Sequence, residues 1–335
     1  MTRAFEPNLD ELSALFESRR TDADLPARYR GTLLGVAAGN ALGLPAEGMS
    51  RRAIAARFPS GLAAVDAAER TAPWDDDLAQ TVVLAEALLE HPDLDLEDLA
   101  RRLLRWARDN GRGMGGLTAQ VLERLAAGTP AAAAARLVWE ADAGQPAGNG
   151  AVMRCAPVAL RWRRSGRRLV ETARKSAVVT HWDPRCVWSV VCVVGVIALC
   201  LDGRPVDVES LARAFERAGA PAAVVAAIGQ ADGARLDDLA LDDRARMGYT
   251  LKAMQVALWA ARQEADFAAP LVAVVNAGGD TDTNGAVAGA VLGARAGAAA
   301  IPRAWLDNIR GVAEIERLAE RLYRASLAEP GGGPA

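Results

Sequence analysis

Apolar residues recur three and four positions apart along most of the chain, the period of a helix that buries one face. The pattern predicts helices over 78–90, 96–109, 118–127, 169–178, 185–201, 208–218, 250–265 and 285–296. A run of small residues, 31–39, reads as a further helix. Gly and Pro punctuate the joins, as at His91-Pro92, Gly128-Thr129-Pro130 and Gly203-Arg204-Pro205. Convincing alternating runs are absent, and no repeat of roughly 20–50 residues is evident. These features predict an all-α fold: one compact domain of many helices.

The ends differ from the middle. Residues 1–26 are polar and read as an N-terminal extension with one short amphipathic helix at 9–16. The domain proper spans 27–325, and 326–335 lacks apolar payload and reads as a flexible tail. Composition adds little beyond this. Hydrophobic residues at 51% and charged residues at 24% suit a packed soluble chain and exclude a wholly disordered one. Aromatics are only 5%, so Ala, Val and Leu must fill the core. A net charge of -3 lacks the basic excess of a general nucleic-acid binder. The apolar stretch 186–201 is shorter than a bilayer span of about 20 residues, and Ser189 and Gly195 interrupt it; it reads as a core helix, and no membrane partner is expected. Cys155, Cys186, Cys192 and Cys200 show no zinc spacing and read as small buried hydrophobes. A cytoplasmic location is the simplest expectation.

Candidate chemistry lies in three acidic turns, each beside a helix: Asn40 to Glu47, Asp75-Asp76-Asp77 and Asp280-Thr281-Asp282-Thr283. Three adjacent carboxylates repel one another, and one Asp suffices for an N-cap. A hard divalent cation would account for the surplus; one capping residue with two solvated neighbours is the plainer reading of that turn alone. The third turn follows Gly278-Gly279, which permits a tight bend, and in an extended turn Asp280 and Asp282 would point to one side with Thr283 adding a hydroxyl. Two such turns point to an oxygen-rich site for one or two metals.

Six segments in order resemble the ADP-ribosylglycohydrolases, the group that includes the dinitrogenase-reductase-activating glycohydrolases: 31–47, 74–89, 112–118, 148–157, 180–184 and 276–306. The resemblance implies an all-α hydrolase with two Mg²⁺ or Mn²⁺ ions in a cleft. Such an enzyme releases ADP-ribose from a modified side chain or small acceptor by attack of metal-bound water at the anomeric carbon. It assigns Asp75, Asp76, Asp77, Asp280, Asp282 and Thr283 as metal ligands. Asp76, Asp77 and Glu47 become the catalytic carboxylates. Three positions depart from the family pattern: Asn40 stands where most members have Asp, Asp75 where they have a Thr ligand, and Leu78 where a Thr closes the motif.

Substrate contacts follow in the same way. Gly113, Gly115 and Gly116 allow backbone N–H groups to approach a diphosphate. The resemblance places Asn149 and Gly150 at the ribose and adenine end, His181 beside the ligand, and Tyr249 in a segment carrying a stacking aromatic. For each, a plain turn, a structural histidine or simple packing is the alternative. The basic run 161–175 reads as a solvated helix face, and His91 as a helix terminus. Two other readings stay open: a hydrolase of another N- or O-glycoside on the same scaffold, and a catalytically weakened ADP-ribose-binding or immunity protein.

Overall fold

The computed structural model describes residues 9–18, 22–145, 147–263 and 266–328. Among them the chain forms seventeen α-helices, four short 3₁₀ turns and no strand; pairing of extended backbone is limited to two isolated bridges, Ser50 with Gly278 and Gly148 with Tyr249. In order the helices are α1 (Asp10–Phe16), α2 (Leu25–Gly43), α3 (Arg51–Arg57), α4 (Asp76–Glu90), α5 (Leu96–Asp109), α6 (Gly116–Ala126), α7 (Ala131–Ala141), α8 (Ala156–Trp162) and α9 (Gly166–Val178). They continue with α10 (Pro184–Leu201), α11 (Val208–Arg217), α12 (Ala222–Gln230), α13 (Thr250–Ala261), α14 (Ala268–Asn276), α15 (Thr281–Ala296), α16 (Arg303–Leu306) and α17 (Val312–Ala328). The fold is all-α.

Its spine is the antiparallel pair α2 and α15, and glycine is the reason they meet. Gly31, Gly35 and Gly39 lie along one stripe of α2, opposite Gly293, Gly289 and Gly285 of α15. A Cβ built on Gly35 would lie 2.0 Å from the Gly289 carbonyl oxygen, and one on Gly39 would lie 1.9 Å from that of Gly285. The backbones therefore touch directly, close enough for Cα–H···O contacts. At the end of the pair, Thr281 Oγ1 donates to the Gly43 carbonyl at 2.7 Å. This contact fixes the end of α2 against the start of α15. Around the spine, α10 is buried from Cys186 to Leu201; it is the one described helix long and apolar enough to cross a bilayer, and 89% of it is buried inside the fold. All four cysteines are buried free thiols.

Several expectations need adjusting. Helices α3, α7, α8, α12, α14, α16 and α17 were not legible as periodic stretches, and α2 begins at Leu25 rather than within the small-residue run. The predicted 250–265 helix ends at Ala261, and positions 264–265 lie outside the described residues. The N-terminal helix forms, and it is no loose extension: Leu12 and Phe16 are buried in the main core, with Phe16 packed over Gly195. The predicted tail starts too early, because Ser326 is buried in α17 and accepts a hydrogen bond from Tyr29 Oη at 3.0 Å; the residues after 328 lie outside the described ones. The basic run is not a solvated face throughout. Arg161 and Arg163 are buried, and Arg163 pairs with buried Asp202 at 3.2 Å while donating to Tyr29 Oη and Ser18 Oγ. A fully buried guanidinium needs such partners to offset its lost hydration.

Candidate metal centre and its cleft

The spine delivers the first and third acidic turns to one place. Glu47 follows Leu44–Ala46, the 3₁₀ turn that ends α2, and Asp280 is the N-cap of α15 with Asp282 in its first turn. The second turn arrives on α4, with Asp75 as N-cap and Asp76 and Asp77 in the first turn. Helix starts favour negative charge, yet capping does not consume these groups. Asp66, Asp95, Asp183 and Asp207 cap their helix starts by accepting backbone N–H bonds, whereas the side chains of Asp75 and Asp280 make no capping bond. The expectation of an extended acidic turn is corrected here: Asp282 is helical, and the helix turn brings it inward.

One carboxylate oxygen from each of Asp75, Asp77 and Asp282 lies within 4.8 Å of the other two, and all three residues are buried. Asn40 Nδ2 donates to Asp75 Oδ2 at 3.3 Å and to Asp77 Oδ2 at 3.2 Å, tying α2 to α4. Positive charge is scarce. Arg112 Nε lies 3.6 Å from Asp75 Oδ1, but this guanidinium is engaged mainly by Glu69. Burial, then repulsion by Asp75 and Asp280, pushes the Asp76 carboxyl up to about 8. Burial and neighbouring carboxylates also raise Asp77 and Asp282 well above the usual carboxylate range, and raise Glu47 above its ordinary value. Asp77 Oδ1 and Asp282 Oδ1 are buried without a hydrogen-bond partner. Buried orphan oxygens in an all-oxygen donor set, short of positive charge, fit hard divalent cations.

Above this floor opens a cleft of about 230 Å³. Of the residues singled out from the sequence, Glu47, Asp76, Asp280, Asp282 and Thr283 line its acidic side; Gly113, Gly115, Gly116, Asn149, Gly150 and His181 line the rest. Asp75 and Asp77 sit behind the floor and do not line it. Gly113 has φ +78°, and a Cβ there would lie 2.5 Å from Asp75 Oδ1, so glycine lets this loop close over the acids. Asn149 Nδ2 donates to Asp280 Oδ2 at 2.8 Å. Tyr249 is not in this cleft. It lines an adjoining cavity of about 650 Å³ with Ala147, Gln230, Lys252 and Gln255, under Arg185, whose guanidinium lies 5.8 Å from the Tyr249 ring. The two cavities share Gly148. Leu117, Thr118 and Met153 also line the cleft and were missed. All three fall inside the segments 112–118 and 148–157, but an apolar or hydroxyl side chain there carries no signal of its own.

The family model described as ADP-ribosylglycohydrolase matches residues 21–331. The chain is 26% identical to the ADP-ribosylarginine hydrolase Tri1 of Serratia proteamaculans, over 88% of this chain and 79% of that protein. It is 27% identical to the ADP-ribosyl-[dinitrogen reductase] glycohydrolase of Rhodospirillum rubrum, over 91% of this chain and 97% of that protein. A solved structure titled ADP-ribosylglycohydrolase-related protein complex superposes with a TM-score of 0.71 at 31% identity, covering 90% of this chain and 99% of its own. A match of this extent, on a fold that gathers the acidic turns into one cleft, establishes that the chain belongs to the ADP-ribosylglycohydrolase family.

Proposed function

We propose that the chain is a divalent-metal-dependent hydrolase that releases ADP-ribose from a modified side chain or small acceptor. The observation that carries the reading is the convergence of Glu47, Asp75, Asp76, Asp77, Asp280 and Asp282 from three separated segments at one cleft, with Asp77 Oδ1 and Asp282 Oδ1 buried and unpaired. Asp75, Asp77 and Asp282 are the first choice to hold a cation, with Asp76, Asp280 and Thr283 completing a site for one or two Mg²⁺ or Mn²⁺ ions. Such ions, when bound, supply Lewis-acid stabilisation of the negative charge that builds on oxygen during hydrolysis.

The chain's own groups do the rest. Hydrolysis joins a water oxygen to the anomeric carbon and breaks the bond from that carbon to the acceptor, which leaves with a proton. Asp76 and Glu47 face the cleft and stand outside the three-carboxylate group, so they are the carboxyls placed to take the water's proton and to protonate the departing acceptor. The Gly113–Gly116 turn offers backbone N–H groups to a diphosphate. Tyr249, with the Arg185 guanidinium on its ring, offers a stacking surface in the neighbouring cavity. The four buried free thiols suit a reducing compartment, and the cytoplasm is proposed. The test is hydrolysis of a panel of ADP-ribosylated acceptors, starting with ADP-ribosylarginine, before and after chelation. Turnover lost in chelator and restored by Mg²⁺ or Mn²⁺ is the expected result; turnover indifferent to chelation, or none on any acceptor, would count against it.

A further inference from the structure

Arg154 is completely buried, yet no carboxylate lies within ion-pair distance of it among the described residues. Its Nη1 donates to Gln80 Oε1 at 2.5 Å, on α4 one turn past Asp77. Its Nη2 donates to Thr180 Oγ1 at 2.6 Å and approaches the Ser176 carbonyl at 3.4 Å. Thr180 Oγ1 in turn lies 2.8 Å from His181 Nδ1. The far edge of the same ring faces the cleft. A Cβ on Gly150 would lie 2.9 Å from His181 Cε1 and 3.1 Å from Nε2, so the missing side chain gives the ring its place.

The proton count in this chain has one economical solution. A guanidinium only donates, and a hydroxyl has one proton and two lone pairs. Were Nδ1 to carry the ring proton, the Thr180 oxygen would accept twice and its own proton would be stranded in a buried site. With Thr180 O–H donating to Nδ1, the hydroxyl and that ring nitrogen are both satisfied and the ring proton sits on Nε2, while Arg154 Nε and Gln80 Nε2 lack a partner in either arrangement. Burial and the nearby Arg154 charge push His181 down to about 3, which keeps the ring neutral.

We propose that Arg154 and Thr180 are positioning residues that hold His181 as its neutral Nε2–H tautomer, giving the cleft a fixed N–H donor for an oxygen of the ligand. The donor role rests on the ADP-ribose reading; the tautomer does not.

The chain has two histidines, so ¹⁵N-histidine labelling of the full-length protein in Mg²⁺ buffer yields two ring systems, and His91→Gln assigns them. The expected spectrum shows a pyridine-type Nδ1 and a pyrrole-type Nε2 for His181. Thr180→Val and Arg154→Met shift it toward a mixture of tautomers, and Thr180→Ser restores it. Should Arg154→Met fail to fold, the similarly shaped Thr180→Val carries the test. A pyrrole-type Nδ1 in the wild type, or a spectrum unmoved by Thr180→Val, overturns the assignment. Titration with free ADP-ribose tests the donor role: Thr180→Val weakens binding up to about tenfold, the worth of one hydrogen bond, and Thr180→Ser recovers it. Equal binding by all three proteins overturns that role. A locked ring in a protein that binds no ADP-ribose refutes the substrate reading while leaving the tautomer supported.

Discussion

Exchanging Gly35 for Ala adds one methyl group at the middle of the spine. Its Cβ would fall 2.0 Å from the Gly289 carbonyl oxygen and 2.6 Å from the carbonyl carbon. Ordinary contact begins at 3.4 Å, so α2 and α15 must part by about 1.4 Å at this crossing. The obstruction is backbone, and no rotamer change relieves it. Overpacking of this kind costs about 3 kcal/mol at the upper end of its range. The helix propensity of Ala over Gly returns about 1 kcal/mol, leaving a net loss of about 2 kcal/mol. With an unfolding entropy of about 2.1 cal/mol/K per residue, that lowers the melting temperature of a chain this long by about 3 °C. The matched control is Gly229→Ala on α12, where the position is exposed and a Cβ would meet nothing within 4 Å. There the propensity term acts alone and stabilises by about 0.5–1 kcal/mol. The same chemical change thus has opposite signs at two sites. Because Glu47 follows one member of the pair and Asp282 lies in the first turn of the other, Gly35→Ala also loosens the acidic site; displacements near 1 Å cost on the order of a hundredfold in rate. Thermal melts of the two variants, with Mn²⁺ titration of each, test the reasoning. A Gly35→Ala protein as stable as the parent would refute the backbone-contact account, and unaltered Mn²⁺ affinity in a destabilised one would refute the coupling to the site.

Asp282→Asn removes one of three converging carboxylates and is expected to abolish turnover, by a thousandfold or more, with an unchanged far-ultraviolet circular dichroism spectrum; full activity in this variant would sink the proposed site. Asp75→Thr removes a carboxylate from the same group and is expected to weaken Mn²⁺ binding about tenfold or more, as read by calorimetry; unchanged affinity would place Asp75 outside the metal site. In chelator, stability is expected to fall as pH rises from about 5 to about 8. The Asp76 carboxyl is raised in the fold, as are Glu47, Asp77 and Asp282, so the folded state binds more protons across that window and loses this advantage as they ionise. Melts in EDTA check the sign. A melting temperature that climbs over the same window would contradict it, and Mg²⁺ or Mn²⁺ should remove the loss at the alkaline end.

The legible parts of this fold were those whose signal is local. Amphipathic periodicity found α5 at its observed bounds and α11 to within two residues, because each buries a one-sided apolar face; α4 and α10 were found as closely from their long apolar runs, which are buried on most sides. It missed α7 and α12, whose Ala-rich stretches carry too little contrast between faces, and it missed the start of α2, where only Leu25 and Tyr29 are buried among half-buried neighbours. The acidic residues could be named from their types and neighbours, but their meeting could not. Glu47 and Asp282 are held together by a glycine stripe whose partner lies some 250 residues further along the chain, and glycine registers in a periodicity scan only as a weak helix former. The His181 ring shows the same limit from the other side. As a lone histidine it reads as structural, and only the chain Gln80, Arg154, Thr180, drawn from three separate segments, gives its two nitrogens different tasks. What the sequence could not carry is therefore of one kind. Where a side chain's role depends on the absence of a neighbour's Cβ, or on which atom of a ring is already taken, the information lies in the packing and becomes visible only once distant segments are brought together.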